Sequence, residues 1–280
     1  MLNYVGLFHN NASFASGDAA TSYQRMSLNG PVYKTDTEAF GVSVAGSQFS
    51  VKPSQANFSE LYDIQFGVSY TKALDEKRMW SMALRYGSAS DKPFATNDVT
   101  TLGATAFYSY PSDETSRWLL LVDYSNNRPI LNGIPLPGFA YFYTPSKDFR
   151  GVFGAPFVSI NWNFAEEWSL DAFTLVPWVF KASVGYKITP FAKIYTGFDF
   201  SQVTYYLKDR TNEKDRLFYD EKKIFIGAKS PLSKSIFADL ELGHAFDRAF
   251  FIAENYKTSP DNPVDIGNAY YGKLSLNFIF

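Results

Sequence analysis

The sequence contains no cysteine among its 280 residues. This absence excludes a disulfide-stabilised scaffold, thiolate metal sites, iron–sulfur clusters and a cysteine nucleophile. Histidine is scarce as well, since only His9 and His244 occur. The sequence has no long uninterrupted apolar run, so it offers no candidate for a transmembrane helix.

Basic and acidic residues occur in nearly equal numbers. The 26 basic and 28 acidic residues give a net charge of -2 and are mixed along the chain, so we expect no nucleic-acid partner. Aromatic residues, in contrast, make up 18% of the sequence and apolar residues 46%, which argues against intrinsic disorder. The mean hydropathy is nevertheless only -0.18, so apolar and polar residues must be interleaved.

The interleaving has a period of two, which is typical of β-strands with one apolar face. The last segment illustrates it. One set consists of Tyr270, Gly272, Leu274, Leu276, Phe278 and Phe280, and it alternates with Tyr271, Lys273, Ser275 and Asn277. Similar alternation recurs along the chain, and no amphipathic helix longer than two turns is predicted.

Short and long connectors alternate between these segments, as in an up-and-down barrel. We therefore predict an all-β fold, an up-and-down antiparallel transmembrane β-barrel of about 14 strands, within a range of about 12–16, at about 20 residues per strand and connector. Residues 1–280 form a single domain, in which 1–20 are either a first strand or a loose arm. The stretch 144–164 interrupts the rhythm. Met1-Leu2-Asn3 does not begin a signal peptide, so we expect a mature chain with an added methionine.

Periodicity alone does not distinguish a soluble barrel from a membrane barrel. The polar faces combine full charges with many Gly and Ser residues, which suits a crowded barrel interior. Aromatic residues also cluster near strand ends, as in the girdles of membrane barrels at the two interfaces. The predicted aromatic girdle contains Trp80, Trp118, Trp162, Trp168 and Trp178.

The C-terminal strand, with Leu274, Leu276, Phe278 and Phe280 at alternate positions, resembles that of bacterial outer-membrane β-barrel proteins. The resemblance implies a barrel-closing C-terminal signal that the barrel-assembly machinery recognises. It also implies localisation in the bacterial outer membrane, in contact with the lipid bilayer and lipopolysaccharide. Other outer-membrane proteins are further candidate partners.

Three segments resemble an uncharacterised family of outer-membrane barrels. They are Pro137-Gly138-Phe139-Ala140-Tyr141, Gly154-Ala155-Pro156-Phe157 with Trp168 downstream, and Gly243-His244-Ala245-Phe246-Asp247-Arg248. The similarity covers roughly Asn127 to Arg248 and supports the fold. It implies no activity.

Catalysis is not expected. Neither histidine has a serine at the spacing that a serine–histidine pair on one strand requires. The charged run around Lys208–Lys223, which contains Glu221, is interpreted as a self-neutralising solvated loop. We expect no metal site and no cofactor.

If the apolar sets face lipid, the lumen is lined by charges of both signs. The lumen-lining candidates are Asp63, Arg85, Arg117, Asp123, Asp171, Lys181, Lys187, Lys193, Asp199, Asp239, Glu241 and Lys273. These charges either face one another across a water-filled channel or pair into networks that fill the interior. The expected function is a channel for passive or weakly selective passage of small polar solutes. The alternative is a structural, adhesive or partner-binding barrel within an outer-membrane complex. The apolar loop Asn127–Phe139 is either a constriction or a docking edge.

Overall fold

The computed structural model describes residues 1–14, 17–52, 59–177, 179–257, 260 and 262–280. Almost all of the regular structure in these residues is β-strand, and a single 3-10 turn spans Asn97–Val99. None of the helical structure in these ranges has the length and apolarity needed to cross a membrane.

The described strand segments form one sheet. They are β1 (Leu2–His9), β2 (Ala12–Phe14), β3 (Gly17–Lys34), β4 (Glu38–Lys52), β5 (Glu60–Ala73), β6 (Met79–Ser90), β7 (Thr100–Pro111), β8 (Ser116–Ser125), β9 (Leu136–Ser146), β10 (Phe149–Ala155), β11 (Phe157–Trp162), β12 (Trp168–Leu175), β13 (Val179–Lys187), β14 (Lys193–Tyr205), β15 (Arg216–Pro231), β16 (Ile236–Ala253), β17 (Val264–Ile266) and β18 (Ala269–Phe278).

The sheet closes on itself because β1 pairs with β3 on one side and with β18 on the other. Leu2 lies opposite Leu28 in one ladder and opposite Phe278 in the other. The short β2 and β17 continue the first and last strands and pair with β3 and β16. The ring is therefore an antiparallel barrel of 16 strands, at the upper limit of the predicted range. The predicted fold class is confirmed, and residues 2–9 form a first strand.

The connectors differ between the two ends of the barrel. At the end that carries both chain termini, seven turns of two to five residues join the strands, for example 35–37 and 147–148. At the opposite end the connectors include 91–99, 126–135 and 206–215. We call these the short-turn end and the long-loop end. The predicted loop Pro53–Ser59 lies at the long-loop end, but 53–58 fall outside the described residues.

The outer face of the barrel is apolar. In β4, Val42 and Val44 are exposed on the outside, whereas Ser43 and Ala45 point inward between them. The same outward exposure holds for Met26, Leu28, Phe66, Val68, Met82, Leu84, Leu120, Val122, Val184, Ile224, Ile226, Leu240 and Leu242. This polarity is opposite to that of a soluble barrel, in which the apolar sets pack inside.

A belt of aromatic rings surrounds part of the short-turn end. Trp118 contacts Tyr141 at a ring distance of 4.9 Å. From there, neighbouring rings no more than 6.5 Å apart follow the wall through Tyr143, Phe149, Trp162, Phe164, Trp168 and Tyr186. Trp80 and Tyr70 form a further pair at the same end. We call this series the aromatic belt.

The wall is low where the sequence rhythm is interrupted. The strands β10, β11 and β12 have 7, 6 and 8 residues, whereas β15 and β16 have 16 and 18. Pro156 alone connects β10 to β11 at the long-loop end. We call β10–β13 the low wall. The two motifs around Gly138 and Gly154 meet here, since β9 pairs with β10 and Gly154 lies opposite Ala140.

Gly154 allows this close approach. A Cβ at this position would lie 2.1 Å from the carbonyl oxygen of Phe139 and 2.7 Å from the Cα of Ala140. We expect Gly154→Ala to destabilise the barrel by about 1–3 kcal/mol, because backbone must move to relieve the overlap. Urea unfolding of the refolded protein measures this change.

Gly46→Ala is the matched control, because nothing lies within 4 Å of a Cβ at that position. Its midpoint should stay near that of the parent protein. Equal effects of the two substitutions would contradict the close-contact explanation.

Candidate functional site in the barrel lumen

One side of the lumen is filled by charged side chains with Glu221 at their centre. Glu221 is 2% exposed, and its carboxylate lies 2.8 Å from His9 Nε2, 3.2 Å from Arg248 Nε and 2.6 Å from Lys223 Nζ. The Tyr219 hydroxyl also donates to it. A buried carboxylate is stable only with such partners. These residues join β1, β15 and β16 from the inside.

A second carboxylate continues this buried ion network toward the short-turn end. Glu241 is 1% exposed, accepts a hydrogen bond from Tyr271 at 2.7 Å and pairs with Lys273 at 3.1 Å. Lys181 lies 3.7 Å from both Glu241 and Asp199. The charges therefore pair along one wall, and they do not form opposed rows across a channel.

The partners of His9 resemble those of a catalytic histidine, so their geometry and accessibility are relevant to catalysis. Its Nδ1 lies 3.0 Å from Thr21 Oγ1, and its other nitrogen faces Glu221. Arg248 Nη2, however, donates to the same threonine oxygen at 2.6 Å. All four side chains are buried, and none lines the largest cavity. A catalytic nucleophile needs access to its substrate, and these buried side chains have none. Their geometry therefore fits a structural role, in which they hold neighbouring strands together.

Above the network, an apolar cluster closes the same side of the long-loop end. Phe49, Leu61, Tyr205, Tyr219 and Phe250 belong to it, and all are buried. Phe49 packs between the rings of Tyr219 and Phe250 at 4.9 and 5.7 Å. This side of the mouth is therefore packed like a small protein core.

Two long loops cross the mouth. Tyr206 donates its backbone N–H to Ala89 O at 2.7 Å, which links β14 to β6 across the lumen. Lys92 pairs with Asp209 at 2.8 Å, and the hydrogen bond from Lys92 holds the pKa of Asp209 below its usual value. A further pair joins loops 91–99 and 206–215 through Arg210. These contacts divide the opening of the lumen at the long-loop end into two parts.

The described residues leave the other side of the lumen, along β4 to β8, open. Small inward residues such as Ser43, Gly67 and Ser69 leave space beside Arg85, whose side chain is 42% exposed. Arg85 lies 3.1 Å from Asp123. It lines three cavities of about 440, 170 and 720 Å³ that follow one another from the short-turn end to the long-loop end.

Loop 126–135 folds inward over the largest cavity, and Arg128 holds it there. The buried guanidinium donates Nη2 to the carboxylate and backbone oxygens of Asp123 at 2.8 and 2.9 Å, and Nη1 to Ile134 O at 3.2 Å. The Tyr206 hydroxyl donates to Asn126 O. The loop is thus a constriction within the lumen, while Leu131 and Ile134 remain exposed.

The structure places the lumen-lining candidates on the inward face and brings most of them into contact. The contacting groups are Arg85 with Asp123, Lys193 with Asp171, and Lys181, Asp199, Asp239, Glu241 and Lys273 in or beside the buried ion network. Three candidates lie apart. Asp63 accepts from Gln65, Arg117 donates to Lys77 O, and Lys187 donates to Glu166 O.

The sequence interpretation is wrong for Glu221, which is a buried lumen residue on β15 and not part of a solvated loop. The sequence signal for an inward position was available, because Tyr219, Glu221 and Phe225 lie at alternate positions and share one face of the strand. His9, Arg128 and Arg248 were not predicted as lumen residues. Strand alternation could not predict that the Arg128 side chain points into the lumen, because Arg128 lies in a loop.

The four described tryptophans, Trp80, Trp118, Trp162 and Trp168, all lie at the short-turn end, while Trp178 falls outside the described residues. His244 faces outward, where its ring stacks on Phe246 and meets Tyr270 edge-to-face. In the C-terminal strand, Leu274 faces outward, β18 ends at Phe278, and Phe280 is 84% exposed.

No protein-family model and no curated protein matches the chain. Solved structures of similar shape include the NanC porin, at 9% identity and a TM-score of 0.39, with all of both chains covered. The Pseudomonas putida toluene transporter TodX has 9% identity and a TM-score of 0.42, with 100% of this chain and 89% of that chain covered. The KdgM porin in complex with oligogalacturonate has 7% identity and a TM-score of 0.33, with 100% and 98% covered. Likeness at this level supports no conclusion about the function of this chain.

The buried ion network should depend on Glu221. In Glu221→Gln, Lys223 and Arg248 lose their counter-charge in a water-poor interior and His9 loses its contact with a carboxylate, so we expect the unfolding free energy to fall by about 3–5 kcal/mol. Urea unfolding followed by gel mobility of the unheated protein measures it.

Glu38→Gln is the control, because it removes the exposed pair with Lys72 at 3.1 Å. Exposed pairs contribute little, so its unfolding midpoint should not change. A Glu221→Gln midpoint that also stays unchanged would exclude the structural role of the network.

Proposed function

We propose that the protein spans the bacterial outer membrane. The support is the inverted polarity of the barrel, with exposed apolar side chains outside and charged side chains inside. The aromatic belt suits a membrane interface, where an apolar ring and a polar edge are both accommodated. On this proposal the lipid bilayer and lipopolysaccharide surround the wall. The barrel-assembly machinery recognises the strand that ends near Phe280.

We infer that the barrel is a passive channel for small polar solutes. One observation carries this inference: Arg85 lines three successive cavities along the open side of the lumen. A barrel of this strand number has room for a water-filled path. Charges of both signs next to the path favour weak selectivity. No step of this function requires catalysis, a metal or a cofactor.

A second candidate function is a partner-binding barrel within an outer-membrane complex. The observation that favours it is the crossing of the mouth by loops 91–99 and 206–215. The exposed Leu131 and Ile134 would then form part of a docking edge for another outer-membrane protein. Such a barrel would fold normally and conduct no ions.

The membrane position is tested by fluorescence quenching. In a Trp178→Phe background only the four described tryptophans emit, and all lie at one end of the barrel. We expect lipids brominated near the headgroup to quench them more strongly than lipids brominated deep in the chain. Stronger quenching from the bilayer centre would contradict the proposed position.

The channel is tested by planar-bilayer conductance of Arg128→Gln. Loss of the guanidinium removes three hydrogen bonds that hold loop 126–135 inward, one of which is also the ion pair with Asp123. We expect a larger and noisier single-channel conductance than in the parent protein, and faster proteolysis within this loop.

Arg150→Gln removes the same charge from β10 without touching this loop, so its conductance should stay near the parent value. A folded parent protein that never conducts, together with a silent Arg128→Gln variant, would refute the channel and favour the partner-binding barrel.

A further inference from the structure

The low wall is shorter than the membrane it faces. β11 has 6 residues between Phe157 and Trp162. At a rise of about 3.3 Å per residue and a tilt of about 40°, such a strand climbs only about 15 Å, whereas the lipid-facing band is about 25 Å tall. The aromatic belt, which contains Trp162, fixes the lower level. The upper edge of the low wall therefore ends inside the apolar layer.

The backbone of this edge is adapted to an apolar setting. Val176 N–H donates to Pro156 O at 3.1 Å, so the two turns at the edge are tied together. Pro156 and Pro177 have no N–H to satisfy. In hydrocarbon an unpaired backbone N–H or C=O group is strongly unfavourable, and this edge has fewer such groups. Val176 is 59% exposed and lies on the rim.

The largest cavity, of about 720 Å³, reaches this rim from within. Its outer part is lined by Leu136, Ala155, Phe157, Leu175, Val176 and Val179, which are all apolar. Its volume is in the range of cavities that hold small organic ligands. Contacts between loops 91–99 and 206–215 cross the mouth above the lumen, and loop 126–135 covers the cavity. The rim is thus a side exit.

The inner part of the same cavity is polar and carries net positive charge. Arg25, Arg85 and Arg128 oppose Asp63 and Asp123, which leaves one positive charge in excess. Asp123 is shared by Arg85 and Arg128 at 3.1 and 2.8 Å. Among the described residues, Arg25 is half-buried and makes no ion pair. A guanidinium in this state suits a carboxylate, which it can bind in bidentate geometry.

We propose that the low wall is a lateral opening through which a small amphipathic carboxylic acid moves between the membrane and this cavity. The carboxylate binds at Arg25, and the apolar tail lies between loop 126–135 and the rim. This site rests on the proposed membrane position. It goes beyond the passage of polar solutes and does not require that passage, because its occupancy is independent of conduction through the rest of the lumen.

Binding is tested with 11-(dansylamino)undecanoic acid and its methyl ester on the full-length barrel in lipid nanodiscs. We expect the acid to bind more tightly than the ester. Arg25→Gln should weaken the acid by about tenfold, as expected for a charge-assisted contact, and leave the ester unchanged. Arg150→Gln removes an inward arginine outside this cavity and should bind the acid like the parent protein.

The lateral route is tested by blocking the rim. The chain has no native cysteine, so Val176→Cys can be labelled specifically with N-benzylmaleimide. We expect the label to remove most of the association rate of the membrane-partitioned acid. The same label on Leu240→Cys, a comparably exposed outward position on β16, should have no effect.

These measurements have clear contrary outcomes. Equal affinity for acid and ester, or an Arg25→Gln variant that retains full affinity, overturns the carboxylate site. An association rate that is unaffected by the label at Val176, or reduced equally at Leu240, overturns the lateral route. Gel mobility of unheated samples confirms that every variant compared is folded, and conductance of the parent protein is scored separately.

Discussion

The closed ladder of backbone hydrogen bonds is the constraint on which the rest of this structure depends. A chain that spans lipid must satisfy its N–H and C=O groups internally, and a sheet does so only when its first and last strands pair. Here β1 and β18 make that pairing, from Leu2 opposite Phe278 to His9 opposite Tyr271. Once the ring is closed, side-chain alternation leaves one set facing outward and the other facing the lumen.

Closure of the ring leaves a wide lumen that side chains must partly fill. A ring of 16 strands encloses more space than side chains of ordinary size occupy, and the side chains that the structure describes fill one side of it. The buried ion network and the apolar cluster around Phe49 fix β14 to β18 against β1, β3 and β4. The opposite side, with Ser43, Gly67 and Ser69, stays open. A packed half and an open half suit the proposed channel, because the packed half maintains the shape of the ring around the open path.

The short strands of the low wall determine the height of the barrel on this side. Strands of 6 to 9 residues between Phe149 and Lys187 give the ring a low edge, which lies at the depth of the apolar layer in the proposed membrane position. Beside it, loop 126–135 turns inward on Arg128. The same region therefore contains the inward-folded loop and the proposed side exit, and an amphipathic molecule that uses this exit would meet both.

The sequence by itself determined the strand alternation, the apolar outer face, the alternation of short and long connectors and the closing last strand, because each depends on neighbouring residues. It also indicated the inward charges, such as Arg85 and Glu241. Only the tertiary structure decided which of these charges pair, where Arg128 and His9 point, and which side of the lumen stays open. Those features depend on contacts between strands far apart in the chain, and the register that brings them together is fixed only when the whole ring closes.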